Sequence, residues 1–234
     1  MGTPSMITRA IEESLALERS GDMAAALRRA RSALDLARAA GEPEPMAMAL
    51  IAVARIRFRL GQYDLARALA QEAMSLAPPA SPVQAECHLH LGMCAAETQS
   101  LTEAQAHYQR AADLAREIGH PLLHLRALHN LGSGVYMPQG RFDLALAADE
   151  EAYRIGVQHG LREWIAFPLV TMTWTCHLMG QTQRARALLT ELDRVLPPGS
   201  ALSGYRDWLA AELALDEGTM EAVTALLARA RSVA

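Results

Sequence analysis

The sequence contains no lysine, since all 22 basic residues are arginines. This absence excludes the site types that depend on a lysine amine, such as a Walker A phosphate loop, a Schiff base and a kinase active site. Cysteine is scarce and odd in number, at Cys87, Cys94 and Cys176. A secreted disulfide framework is therefore not expected, and a reducing cytoplasm is the expected compartment.

Long apolar runs and excess positive charge are also missing. No stretch approaches the 18 or so uncharged apolar residues that cross a bilayer, and the first residues lack the basic and apolar regions of a signal peptide. The formal net charge is −4, which argues against a partner held through phosphate contacts. We therefore expect a cytoplasmic chain with no membrane and no direct nucleic-acid partner.

Alanine and leucine dominate what is present, with 45 and 34 residues of 234. Both are strong helix formers. Turn signals, most of them led by glycine, recur every 38 to 41 residues among them. The first residues of these signals are Gly21, Gly61, Gln99, Gly140, Gly180 and Gly218. Such a period marks an array of repeated helical units.

A second glycine or proline signal divides each unit into two helices, because these residues end helices. The pattern predicts an all-α, right-handed α-solenoid, a superhelix of six helix-turn-helix repeats in one domain over 1–234. We place the repeats at about 5–40, 43–79, 81–119, 121–160, 161–199 and 200–234. The first helices are expected at about 5–19, 43–60, 81–98, 121–138, 162–179 and 200–217, and the second at about 22–40, 62–77, 101–118, 141–159, 181–196 and 219–232.

A small or β-branched residue lies five positions after the start of every turn signal. Small side chains let two helix axes approach closely, so we expect these residues at the crossing of each pair. They are Ala26, Ala66, Ala104, Ala145, Ala185 and Val223.

Two repeats carry a recognisable motif. Leu91 and Gly92 precede the run Leu101, Ala104, Tyr108 and Ala111, and Gly132 precedes a run from Gly140 through Phe142 and Ala145. These patterns resemble the tetratricopeptide repeat. The period of about 40 residues is similar to that of the repeats in MalT-like bacterial regulators and in Leu-Gly-Asn-type scaffolds. The resemblance implies a protein-interaction fold whose first helices line a concave groove.

Repeat four departs from the common spacing. Gly132 lies eight residues before Gly140, whereas Gly92 lies seven before Gln99. The extra residue falls in Gly132–Gly134 and is predicted either to form a π-bulge, a feature of many functional sites, or to be a harmless irregularity or an early helix end at Pro138.

Two further residues conflict with helix packing. Asp149 falls at a position where other repeats carry core residues, so either it reaches a partner on the adjacent first helix or a small rotation turns Ala148 inward. We favour the rotation, because an unpaired buried carboxylate is costly. Pro168, within a first helix, is expected to kink that helix or delay its beginning.

Transferring the register of the family onto this sequence gives a candidate ligand-binding stripe. The arginines could hold an acidic segment, and Asn130 matches the position at which related repeats hold a ligand backbone with an asparagine amide. The alternative for Trp174 and Trp208 is packing between helices as core. The predicted residues are Arg55, Phe58, Arg59, His90, Arg126, His129, Asn130, Trp174, His177, Tyr205 and Trp208.

We expect no enzyme, no cofactor and no metal site. Cys87, His90 and Cys94 share one helical face, but a Cys-x-x-Cys knuckle is absent and no fourth ligand is evident. No nucleophile elbow, zinc-protease motif or phosphate loop occurs.

The favoured function is a non-catalytic interaction module that binds a peptide or partner segment in its concave groove. One alternative is an effector-sensing region of a larger MalT-like regulator that binds a small molecule. Another is a self-associating scaffold, possible as a homodimer through the uncapped C-terminal repeat, because solenoid ends normally need a polar cap.

Overall fold

The computed structural model describes residues 3–197, 199–215, 218, 223–226 and 228. Within these residues the ordered elements are helices, and no strand occurs. The helices are α1 Thr3–Arg19, α2 Met23–Ala40, α3 Pro43–Arg59, α4 Tyr63–Leu76, α5 Pro82–Glu97, α6 Leu101–Glu117, α7 Pro121–Leu131, a π-helical segment Gly132–Tyr136, α8 Phe142–Gln158, α9 Arg162–Leu178, α10 Thr182–Val195 and α11 Ser203–Leu215.

The predicted helix ranges are confirmed to within a few residues from α1 to α11. The range 121–138 was predicted as one α-helix, but it divides into α7 and the π-helical segment. The predicted last helix, 219–232, lies mostly outside the described residues, and so does the uncapped end on which the homodimer prediction rests.

Backbone geometry explains the turn signals. Gly21, Gly61, Gly140 and Gly180 all have positive φ, a conformation that glycine adopts without a steric penalty. In repeat three the same conformation is taken by Gln99, at φ 60. The turn is therefore kept even where the sequence does not supply glycine.

The small residues that the sequence places at the helix crossings are all buried. Their exposure ranges from 0% for Ala26 to 8% for Val223. A larger side chain at any of them would have to push two helices apart.

The chain divides into two compact units, Met1–Ala127 and Leu128–Ala234. In the first unit each helix from α1 to α5 packs on the next along the chain, and α3 also packs on both α1 and α5. In the second unit α8 packs on the π-helical segment and on α9, and α9 packs on α10 and α11. Each unit is thus built from antiparallel helix pairs stacked in sequence order.

The structure shows how the second unit accommodates the extra residue of repeat four and Pro168. The extra residue is absorbed as a π-helical turn, closed by a 2.9 Å hydrogen bond from the N–H of Met137 to the carbonyl of Gly132. Pro168 is buried inside α9, which begins at Arg162 and is therefore not delayed. No described helix has the length and apolar character needed to cross a membrane.

Candidate binding surface

First helices of the first unit form an open groove, which we call the first-helix groove. It encloses about 310 Å³ between α1, α3, α5 and the beginning of α7. Aliphatic side chains make most of its wall, with three polar side chains among them. The lining residues are Ile11, Leu15, Met48, Ile51, Ala52, Arg55, Pro82, Val83, Glu86, His120, Leu122 and Leu123.

Four charged residues of alternating sign follow the groove from helix to helix, and we call them the charged row. Arg55 Nε donates to Glu18 Oε2 at 2.7 Å, and Arg126 Nη1 donates to Glu86 Oε1 at 2.6 Å. The four side chains are only 13% to 27% exposed, so water screens these pairs weakly. Arg55 and Arg126, two of the three predicted arginines, thus each already hold a carboxylate of this chain.

His90 lies beneath the charged row and is buried, with 1% of its surface exposed. Its Nε2 is 3.6 Å from Glu86 Oε2, and neither ring nitrogen has a hydrogen-bond partner among the described residues. Burial lowers the pKa of His90 to about 4, with Glu86 opposing and Arg126 and Arg55 reinforcing that shift. The ring is therefore neutral at neutral pH, and its predicted place on an open ligand-contacting face is wrong, because its position in the helix turns it into the core.

Glu86 remains ionised beside it. Burial alone would raise the pKa of this carboxyl, but the positive charges of Arg126 and Arg55 lower it overall. The charged row therefore contributes two negative and two positive charges at neutral pH.

Two other predicted residues of the first unit lie outside the groove. Phe58 packs against Tyr63 at the α3–α4 turn, with 5.3 Å between ring centroids. Arg59 is exposed at the end of α3. Neither side chain lines the cavity described above.

In the second unit, His129 and Asp149 form a close pair across α7 and α8. His129 Nδ1 is 2.7 Å from Asp149 Oδ1, and Asp149 is fully buried. The favoured rotation that turned Ala148 inward is wrong, because the carboxylate has a partner on the adjacent first helix. Burial raises the pKa of Asp149 to about 6, and His129 opposes that rise.

The π-helical segment begins beside this pair. A Cβ at Gly132 would lie 3.0 Å from Asp149 Oδ2 and 3.1 Å from the carbonyl oxygen of Ala145. A side chain at this position would therefore require the Asp149 carboxylate or the backbone of α8 to shift by a few tenths of an ångström. His129 keeps 17% of its side chain exposed and packs against the ring of Phe167.

The predicted aromatic residues of the second unit gather on α9 and α11. Trp174 stacks on His177 at 5.1 Å and lies 4.5 Å from Trp208, both measured between ring centroids. Trp174 and Trp208 pack against a core cluster, as the core alternative predicts, and both are only half-buried. Tyr205 is exposed, and Asn130 is half-buried.

Sequence reasoning missed part of the groove because the predicted stripe began at repeat two. It left out Ile11, Leu15 and Glu18 of α1, and it named no pairing between charged residues. A usable signal was present: Glu18 and Arg55 are 37 residues apart and Glu86 and Arg126 are 40 apart. An acid and an arginine separated by about one repeat fall on successive first helices and can meet there.

Both thiols of α5 are buried. Burial raises the pKa of Cys87 to about 12 and that of Cys94 to about 11, so both stay protonated at neutral pH. Among the described residues, no three histidine, cysteine or acidic side chains are grouped to hold a metal ion.

Comparison with known proteins confirms the predicted fold. A family model described as tetratricopeptide repeat matches residues 84–155. No curated protein matches the chain in sequence.

Solved structures give a likeness along almost the whole chain. A Rap protein in complex with competence and sporulation factor is 14% identical, with a TM-score of 0.79 over 96% of this chain and 63% of that protein. Aspartyl phosphate phosphatase F from Bacillus subtilis is 14% identical, with a TM-score of 0.75 over 89% and 55%. The pilF protein of Pseudomonas aeruginosa is 16% identical, with a TM-score of 0.68 over 97% and 90%. The chain thus spans less than two thirds of the first two proteins, and at these identities the likeness establishes the fold alone.

Proposed function

We propose that this tetratricopeptide-repeat chain is a non-catalytic interaction module that binds a peptide, or an extended or helical segment of a partner protein, on the face of its first helices. The observation that carries the proposal is the first-helix groove, where four helices leave an open apolar channel with polar groups at fixed places. Binding sites for peptides have this composition, with apolar walls for affinity and a few polar groups for orientation.

Two further observations support a protein partner. The Rap protein of similar fold was solved in complex with competence and sporulation factor. Trp174, Trp208 and Tyr205 supply the residue types that dominate binding energy at protein interfaces. We propose that these aromatic residues, with His129, Asn130 and His177, form the ligand-contacting part of the second unit.

Selection from a library of random displayed peptides on the full chain tests the proposal. Enriched peptides are then synthesised, and their dissociation constants are measured by calorimetry. Met48→Glu places a charge in the groove at a side chain that is 37% exposed, so the fold should be retained. We expect it to weaken binding at least about tenfold.

Leu65→Glu is the matched control, since Leu65 is 44% exposed on the second helix α4 and does not line the groove. Its dissociation constant should stay within about twofold of that of the unchanged chain. If no peptide is enriched, or if every enriched peptide binds Met48→Glu as well as the unchanged chain, binding at this face is refuted.

A further inference from the structure

We infer that the first-helix groove selects an uncharged, apolar side chain from an internal stretch of peptide, and that a main-chain carbonyl of that peptide accepts a hydrogen bond from Arg55. This inference rests on the proposed function and specifies the chemistry of the bound segment. It replaces the acidic segment that the arginine content alone suggests.

The walls of the groove favour an apolar occupant. Ile11 and Leu15 of α1 face Met48 and Ile51 of α3, and Leu122 and Leu123 close the far side. A charged side chain placed among them would lose its hydration without gaining an equivalent partner. An aliphatic or aromatic side chain instead removes apolar surface from water on both partners.

The charges of the groove are already balanced. Glu18 holds Arg55 and Glu86 holds Arg126, both through hydrogen-bonded pairs inside the chain. His90, the remaining titratable side chain beneath the row, is neutral at neutral pH. An acidic occupant would meet Glu86 as well as Arg55 on the groove wall, and a basic occupant would meet Arg55 as well as Glu86.

One hydrogen-bond donor of Arg55 has no partner among the described residues. Arg55 uses Nε for Glu18, while its Nη2 is buried and has no hydrogen-bond partner among the described residues. Arg55 also lines the groove, and because this nitrogen is itself buried, an occupant reaches it when the Arg55 side chain moves towards the groove. A main-chain carbonyl can accept from this buried donor without adding a charge to the balanced pairs of the row.

An internal segment fits better than a chain end for the same reason. A terminal carboxylate would add a third negative charge beside Glu18 and Glu86, whereas an internal residue presents only its carbonyl and amide groups. The groove therefore recognises the side chain by its apolar surface and the backbone by one directed hydrogen bond.

The peptide-library selection is repeated at low and high salt, and the enriched sequences are compared. We expect aliphatic and aromatic residues at the common position, with no enrichment of aspartate or glutamate there. Replacing the common residue by aspartate in a synthetic peptide should weaken binding about thirtyfold or more, and amidating its C-terminus should change it less than about twofold. Because the groove carries no net charge, the dissociation constant should change less than about twofold between about 50 and 500 mM NaCl.

The role of Arg55 is tested with Arg55→Lys, which keeps the positive charge but removes the second donor nitrogen. We expect binding to weaken about tenfold. Arg67→Lys is the matched control, because Arg67 is also half-buried and paired with an acid of the next repeat, Glu103, but lies on the second helix α4. Thermal unfolding of both variants shows whether the fold is retained. The substitutions in the peptide are tested on the unchanged chain, so they do not depend on the folding of a variant.

The outcomes separate this inference from the proposed function. Enrichment of acidic peptides, a dissociation constant that rises tenfold or more with salt, or loss of binding on C-terminal amidation overturns the inference and leaves peptide binding standing. Unchanged affinity of Arg55→Lys also overturns it. Absence of any enriched peptide overturns the proposed function itself.

Discussion

Gly92 and Tyr108 show how tightly one residue can determine a helix crossing. A Cβ at Gly92 would lie 2.7 Å from both Cδ1 and Cε1 of the Tyr108 ring, which is itself 2% exposed. The rigid ring cannot turn away without displacing its neighbours in the core. Alanine, normally the better helix former, is therefore excluded at this position of α5.

Replacing Gly92 by alanine should lower the free energy of unfolding by about 2 kcal/mol, because overpacking a core contact outweighs the gain in helix propensity. Urea unfolding followed by circular dichroism measures the change. The same substitution in a Tyr108→Leu background should cost less, and this coupling assigns the effect to the ring. A neutral Gly92→Ala would show that the two helices separate more easily than this contact implies.

His90 makes stability depend on pH. Its pKa is lowered by burial from 6.5 to about 4, so the folded chain binds its proton less readily than the unfolded chain. The contribution of His90 to stability is therefore fully present above about pH 6.5 and is lost as the pH falls towards about 4, by roughly 3 kcal/mol. Asp149 acts in the opposite direction, because its raised pKa favours the folded state at lower pH.

His90→Leu removes the titrating group at similar volume and isolates this contribution. Between pH 7 and pH 4.5, the free energy of unfolding should fall more steeply in the unchanged chain than in the variant. Urea titrations at the two pH values measure both slopes. Parallel slopes would mean that His90 is protonated as easily in the folded chain as in the unfolded one.

At the scale of helices, two serines that each directly precede a helix differ in the capping hydrogen bonds of their side chains. Ser81 precedes α5, and its Oγ accepts from the N–H of Gln84 at 3.1 Å and donates to the carbonyl of Pro78 at 2.6 Å. Ser100 precedes α6 and makes no capping hydrogen bond with its side chain. The same residue type thus caps one helix and merely adjoins the next.

Ser81→Ala should lower the free energy of unfolding by about 1 kcal/mol, the usual value of a capping hydrogen bond. Ser100→Ala, the identical substitution at the other helix, should change it by less than about 0.5 kcal/mol. Chemical denaturation of the two variants side by side gives the comparison. Equal losses would contradict the assignment of the cap to Ser81 alone.

Helix boundaries were predictable because their causes are local. Positive φ at Gly21 or Gly61 and a missing N–H at a proline act within one turn, and the sequence displays both. The setting of Asp149 was not predictable in this way. Its partner His129 lies 20 residues earlier, and the π-helical segment between them shifts the register of the side chains by one residue.

At the scale of the whole chain, the repeat period predicted the fold but not the chemistry of the binding face. A regular spacing of turns is sufficient to specify stacked helix pairs, because each pair must bury its apolar side against the next. Whether Arg55 is available for an acidic ligand depends instead on Glu18, a residue of the preceding repeat. The charge pairing of the first helices therefore follows from contacts between repeats, which a pattern within one repeat does not contain.

Binding to the folded chain should stabilise it, and this links the proposed function to the whole molecule. A peptide that binds only the folded state, present at about 100 times its dissociation constant, adds about 2.7 kcal/mol to the free energy of unfolding. Chemical denaturation with and without the selected peptide measures this gain. At the same peptide concentration, Leu65→Glu should gain as much as the unchanged chain, and Met48→Glu less than about half as much, since a tenfold weaker affinity removes about 1.4 kcal/mol. Equal gains in all three chains would place the peptide on a surface other than the first-helix groove.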